Sequence, residues 1–209
     1  NTNNEGYKHA GLFCSLKNAT VENLVIDSSC SFAGKYAGAL SVSVNGSLTV
    51  KHTTNNAIVT GSWNVGGFIG YVKDLKQPTV ISFEHCVNNG NVTGSNYYAG
   101  GFVGEYELNT NMTMTISNSI NNGNITGIGG SVGGFVGEYD RNTNMNMTVS
   151  NTINNGTVVG NGIIIGGFAG YISGHTNMTM TISNSINNGN VTGGYSVGGL
   201  VGCIYSTSD

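Results

Sequence analysis

The residues able to do chemistry are few and scattered. Ten Asp and Glu, seven Lys and Arg, four His and four Cys occur among 209 residues. Glu105 and Glu138 stand out, because each follows an equivalent Gly in successive repeat units. Carboxylates stacked one rung apart could start a calcium site, but such a site needs a larger set of oxygen ligands. No carboxylate-rich loop accompanies them, and Tyr71 and Tyr171 hold the same position in neighbouring units. The sequence therefore predicts an exposed pair, with no metal and no cofactor. Cleaving a polysaccharide needs acids and bases clustered in a groove. The acidic residues share no column, and of His9, His52, His85 and His175 only His52 and His85 do. No catalytic residue is expected, and the chain reads as a non-enzyme. Cys14, Cys30, Cys86 and Cys203 lack CxxC spacing, which disfavours zinc and redox motifs.

Hydroxyl groups are far more regular. One set is Thr49, Ser82, Thr115, Thr148 and Thr181; another is Thr53, Cys86, Ser119, Thr152 and Ser185. Ser47, Thr113, Thr179, Ser117, Ser150 and Ser183 lie around them. On an outward strand face they would form a grid, about 7 Å apart along the strand and about 4.8 Å across it. Such a grid could match an ordered surface such as ice, or a glycan; Thr and Ser also simply suit exposed strands. Lys51 and Glu84 interrupt it. The candidate binding face is Thr49, Thr113, Thr115, Thr148, Thr179 and Thr181.

These columns require a repeating scaffold. Gly133-Gly134-Phe135-Val136-Gly137 recurs from Gly66, Gly100, Gly166 and Gly198, with looser copies at Ala10 and Gly38. Successive anchors at Gly11, Ala39, Gly67, Gly101, Gly134, Gly167 and Gly199 are 28 to 34 residues apart. A fixed period of this size means a repeat architecture. Within a unit, Met114, Ile116, Asn118 and Ile120 alternate with Thr113, Thr115, Ser117 and Ser119, which is strand periodicity. Asn-Asn-Gly is read as a turn using positive φ. A short strand such as Asn124-Ile125-Thr126 follows, then a third through the anchor, then a polar loop such as 140–144. No helical period appears, and Gly interrupts every candidate window.

The expected fold is all-β, a parallel β-solenoid (β-helix) of about seven coils with roughly three short strands each. It forms one domain over 1–209, irregular over 1–46 and regular over 47–205. Leu12, Leu40, Phe68, Phe102, Phe135, Phe168 and Leu200 are assigned to the interior, as are Ile81, Met114, Met147 and Met180. His52, His85, Asn118, Asn151 and Asn184 are read as a third interior column, whose amides would bond along the stack.

The units resemble the GLUG repeat, on Ser183-Asn184-Ser185-Ile186-Asn187-Asn188-Gly189-Asn190-Val191-Thr192-Gly193 followed by Val197-Gly198-Gly199-Leu200-Val201-Gly202. Residues 47–202 match well and 9–46 loosely, where Ala39 and Ser41 depart from the glycine pattern. The resemblance implies large secreted or surface proteins, often adhesin-like, with the repeats as stalk or binding region. Some surface peptidases carry such repeats, but no HExxH occurs here.

Composition narrows the remaining classes. Charged residues are 8%, against roughly 25% in typical domains. That leaves no basic footprint for nucleic acid, and no apolar run is long enough to span a bilayer. Nine Asn-x-Ser/Thr sequons occur. Asn45, Asn111 and Asn177 fall in one column in alternate coils, with room between them for glycans. Cys14 lies in the first coil and Cys203 in the last, too far apart to pair within one chain. They are candidates for a head-to-tail junction between copies. The expected function is a structural or adhesive extracellular or cell-surface glycoprotein that stacks head to tail into a fibre and contacts glycans or matrix surfaces. The alternative is a non-catalytic glycan- or ice-binding module using the hydroxyl grid or a Tyr-bearing edge.

Overall fold

The computed structural model describes residues 8–73, 75, 78–161 and 164–206. Among them there is no helix; strands stack in parallel into four walls of a β-solenoid. The first wall has seven strands, among them Tyr98–Gly100 and Ser131–Gly133. A long wall comes next, in two segments per coil such as Val103–Glu107 and Thr110–Ser117. Two narrow walls of six strands each complete the circuit, through Ile120–Asn121 and Ile125–Gly127. Each coil thus has up to five short stretches rather than three. The full coils are slightly fewer than seven, because the last contributes only Ser196–Gly198 and Val201–Ser206.

Two further details differ from the sequence reading. Residues 140–144 are not a loop: they run inside the continuous strands Val136–Ser150 and, one coil on, Ala169–Ser183. The alternation also breaks at one corner. His52, His85, Asn118, Asn151 and Asn184 are exposed, not interior, and each has φ between 45° and 52°. A left-handed residue kinks the chain, and Asn tolerates that conformation better than most residues. The kink moves the next side chain inward. Thr53, Cys86, Ser119 and Thr152 are therefore fully buried, although their column was expected outside.

The assigned apolar columns do line the interior. Phe68, Phe102, Phe135 and Phe168 stack with ring centroids 4.8–5.1 Å apart and are essentially inaccessible. Ile81, Met114 and Met147 are buried as well. Each such side chain contributes roughly 1.5–3 kcal/mol. Only the terminal members, Leu12 and Leu200, are exposed.

An interior amide ladder exists, but on the first Asn of Asn-Asn-Gly. Asn55, Asn88, Asn121 and Asn154 each donate from Nδ2 to Oδ1 of the next Asn, ending on Asn187, at 2.7–2.8 Å. The other Nδ2 hydrogen goes to the carbonyl two residues on, at 2.9–3.0 Å from Asn88, Asn121 and Asn154. The second Asn builds a matching ladder outside, from Asn188 back to Asn56, with donation running the opposite way.

The paired glycines answer to this ladder. A Cβ on Gly134 would lie 2.1 Å from the Gly167 carbonyl oxygen and 2.8 Å from Cγ of Asn154. A Cβ on Gly123 would lie 2.0 Å from the Gly90 oxygen. No described glycine has positive φ. Glycine is needed at these sites for space rather than for a turn conformation, which corrects the Asn-Asn-Gly reading.

The ladder gives a direct test. Asn121→Ala leaves the Asn88 donor and the Asn154 oxygen without their bridge, which costs about 2–4 kcal/mol. Asn122→Ala, one residue on but solvent-facing, should cost under about 1 kcal/mol. Urea unfolding monitored by circular dichroism reads both.

Candidate functional site

Where the first wall turns into the long wall, backbone meets backbone. A Cβ on Gly66, Gly100 or Gly133 would lie 1.9–2.0 Å from the carbonyl oxygen of Ile69, Val103 or Val136. The corner is tight, and outward side chains of the two walls face each other across it. Tyr36, Asn64, Tyr98, Ser131 and Ile164 succeed one another along the first wall. Ser43, Tyr71, Glu105, Glu138, Tyr171 and Cys203 succeed one another along the long wall. Between them runs a groove in two sections, of about 330 and about 470 Å³, with Tyr97 and Tyr98 lining both.

Aromatic rings form its upper side. Trp63 packs on Tyr97 at 4.8 Å between centroids and on Tyr36 at 5.6 Å; Tyr36 also meets Tyr71 at 5.4 Å. Trp63 and Tyr97 immediately precede first-wall strands of successive coils, Tyr36 opens the strand one coil earlier and Tyr71 lies in the long wall, so the rings track the solenoid axis. Lys35 holds its Nζ 3.7 Å from the Trp63 centroid, a cation–π contact.

Carboxylates form the floor. Glu105 and Glu138 are not exposed as expected: they are 5% and 6% accessible. Nor are the acids dispersed. Glu105 pairs in register with Glu138, and Glu107 with Asp140, so four of the ten acids occupy two adjacent rungs. Asn64 Nδ2 donates to Glu105 Oε2 at 2.6 Å, and Ser131 Oγ donates to Glu138 Oε2 at 2.9 Å. The Tyr98 hydroxyl also bonds Glu138. Lys73 Nζ donates to Glu107 Oε2, and the Arg141 guanidinium forms an ion pair with Oε1. Burial pushes the Glu105 carboxyl up to about 8, helped by the charge of Glu107. Burial pushes Glu138 up to about 7, against the pull of its Ser131 and Tyr98 hydrogen bonds. Burial also raises the Tyr98 hydroxyl, as does the charge of Glu138. Among the described residues no group of three His, Cys, Asp or Glu side chains is placed to hold a metal ion.

The sequence-derived candidates lie elsewhere. Thr49, Ser82, Thr115, Thr148 and Thr181 are in register on the outer face of the long wall, beside Thr113 and Thr179. Val80 and Asn146 complete the column of Thr113, so this face is chemically mixed. Asn111 and Asn177 are exposed on one corner with Asn144 between them; Asn144 Nδ2 donates to Asn111 at 2.9 Å and Asn177 Nδ2 to Asn144 at 3.0 Å. Asn45 is exposed and donates to Ser15 Oγ at 2.8 Å. All four cysteines are free. By register Cys203 falls in the column of Ser43, which pairs with Ser15, while Cys14 is one position away on the strand's other face. The side chain of His175 lies outside the described residues.

No family model matches the chain, and no curated protein matches it. A solved structure from Bacteroides ovatus, described as a "putative immunoglobulin A1 protease", is similar to it with a TM-score of 0.51 and 18% identity. The match covers 91% of this chain and 55% of that one. At this identity the likeness concerns the fold alone. The chain spans just over half the length of that structure. Among the described residues no helix is long and apolar enough to cross a membrane.

The raised carboxyls give the site a pH signature. Both bind protons more tightly folded than unfolded, where their value is 4.5. The resulting stability is complete below about 4.5 and is lost as pH rises to about 7–8. The melting temperature should therefore fall between pH 5 and pH 8. The double variant Glu105→Gln, Glu138→Gln should flatten that profile in thermal scans.

Proposed function

We propose that this chain is a non-catalytic glycan-binding module of an extracellular adhesive protein, and that the glycan lies in the aromatic–carboxylate groove. One observation carries this reading: Tyr36, Trp63 and Tyr97 present rings along the axis directly above buried hydrogen-bonding carboxyls. A pyranose has apolar C–H faces and a polar rim of hydroxyls. Rings take the faces, while Glu105, Glu138, Asn64 and Ser131 take the rim. Concave sites with an apolar lining and a few fixed polar groups are the usual form of small-ligand sites. The groove runs along the solenoid axis, which suits a chain of sugars rather than a single one.

The hydroxyl face supports binding less well. Its columns mix Thr with Ser, Val80 and Asn146, and Lys51 and Glu84 pair across it at 3.4 Å. The extracellular location rests on the resemblance of the repeats to surface proteins of the GLUG type and on the sequons.

Affinity electrophoresis against immobilised polysaccharides tests the site. Trp63→Ala and Tyr97→Ala should each weaken retention by about two- to tenfold, since an aromatic contact of this kind is worth about 0.5–1.5 kcal/mol. Thr115→Lys should leave retention unchanged. Loss with Thr115→Lys but not with Trp63→Ala would move the site to the hydroxyl face.

The glycoprotein reading concerns Asn45, Asn111 and Asn177. Their side chains are exposed, and an N-linked amide keeps one hydrogen, so Asn177 would retain its bond to Asn144. Intact-mass analysis of secreted material should show hexosamine that disappears with the triple Asn→Gln variant. Unmodified mass would remove this reading.

A further inference from the structure

The charges in the groove are unevenly paired. Lys73 and Arg141 both engage Glu107, and Arg141 Nε also bonds Asp140 Oδ2 at 3.0 Å. Glu105 and Glu138 have no ion pair among the described residues. Glu105 is more than nine-tenths buried, yet only its Oε2 is hydrogen-bonded, to Asn64. Glu105 lines one cleft with Tyr36, Trp63, Tyr71 and Tyr97.

Two independent features thus favour a cation in this cleft. A buried carboxylate without a cation is costly, and aromatic faces attract cations. The aromatic strip already seats one ammonium, that of Lys35, over Trp63.

We propose that the groove takes a glycan bearing free amines, with ammonium groups seated between the aromatic faces and the carboxylates of Glu105 and Glu138. This rests on the glycan reading above and names its sugar class. Without a guest, the two carboxyls retain protons up to about 8 and about 7, because burial disfavours their charge. An ammonium beside them favours the ionised form, so binding expels a proton to the buffer. The other groups facing the pair are Tyr71, Tyr98 and Tyr171, with Lys73, Glu107, Asp140 and Arg141 as charged neighbours. Lys73 and Arg141 pair with Glu107 and Asp140, and their charges also act on Glu105, against the effect of its burial. A neutral or N-acetylated sugar offers no cation and expels no proton.

The test is isothermal titration calorimetry at pH 6 in two buffers of unequal protonation enthalpy. The probes are the tetramers of glucosamine, N-acetylglucosamine and glucose. The glucosamine tetramer should bind at least about tenfold tighter than the other two, as a desolvated cation–π contact implies. It alone should release between one and two protons per ligand. The double variant Glu105→Gln, Glu138→Gln keeps the shape of the protonated acids and should fold. It should lose both the preference and the proton release, whereas Thr115→Lys, on the outer face of the long wall, should keep both. Equal binding of all three probes without proton release would overturn the amine proposal and leave the glycan reading standing. Proton release that survives in the double variant would overturn it too. Binding of none of the three would remove both readings.

Discussion

The structure depends on how closely one coil can approach the next. Parallel strands stack about 4.8 Å apart, and every inward column must tolerate that repeat. Large apolar groups meet it by stacking, as Phe102 does on Phe135. Polar groups can meet it by bonding to a carbonyl of their own coil, as Ser119 Oγ does to Ser117, or to their own copy in the next coil. Asn does so, since a primary amide is donor and acceptor at once. The Asn55-to-Asn187 ladder therefore places amides inside the solenoid without leaving them unsatisfied. The glycines are the other side of the same constraint: where carbonyl and amide already fill the rung spacing, no Cβ fits.

The groove is a product of that geometry. Two walls that meet backbone to backbone at a glycine corner leave their outward side chains converging instead of diverging. Residues far apart in the chain, such as Asn64 and Glu105, then meet at 2.6 Å. Because neighbouring coils share a register, each group beside the corner has a counterpart one rung away. Carboxylates are thereby concentrated in a protein with very few of them.

Much of this was legible in the sequence. The period, the parallel solenoid and the Phe and Met interior columns came directly from the anchors and the alternation. The site was not legible, for two reasons. First, strict alternation was carried through Asn118, whose left-handed backbone inverts the parity of the residues after it. Unbroken alternation thus exchanges the exposed Asn118 column for the buried Ser119 column. Second, the groove joins columns from two different walls. Trp63, Tyr97 and Tyr98 lie in the variable stretches between repeats and Glu105 lies inside one, so no single column shows the cluster. One signal was present: Glu105 with Glu107 and Glu138 with Asp140 are spaced by two, which puts each pair on one strand face.

The two Asn ladders also bear on chemical ageing. Asn89-Gly90, Asn122-Gly123, Asn155-Gly156 and Asn188-Gly189 are the kind of dipeptide most prone to deamidate, because the glycine nitrogen can close onto the preceding side chain. In this solenoid each of those nitrogens is bonded to the first Asn carbonyl of the preceding coil, at 3.1–3.2 Å. Each of those side-chain amides is also held by the outer ladder. Ring closure requires both to let go, and so requires adjacent coils to part. Succinimide and isoaspartate at these four positions would thus act as a slow clock for the opening of individual coils.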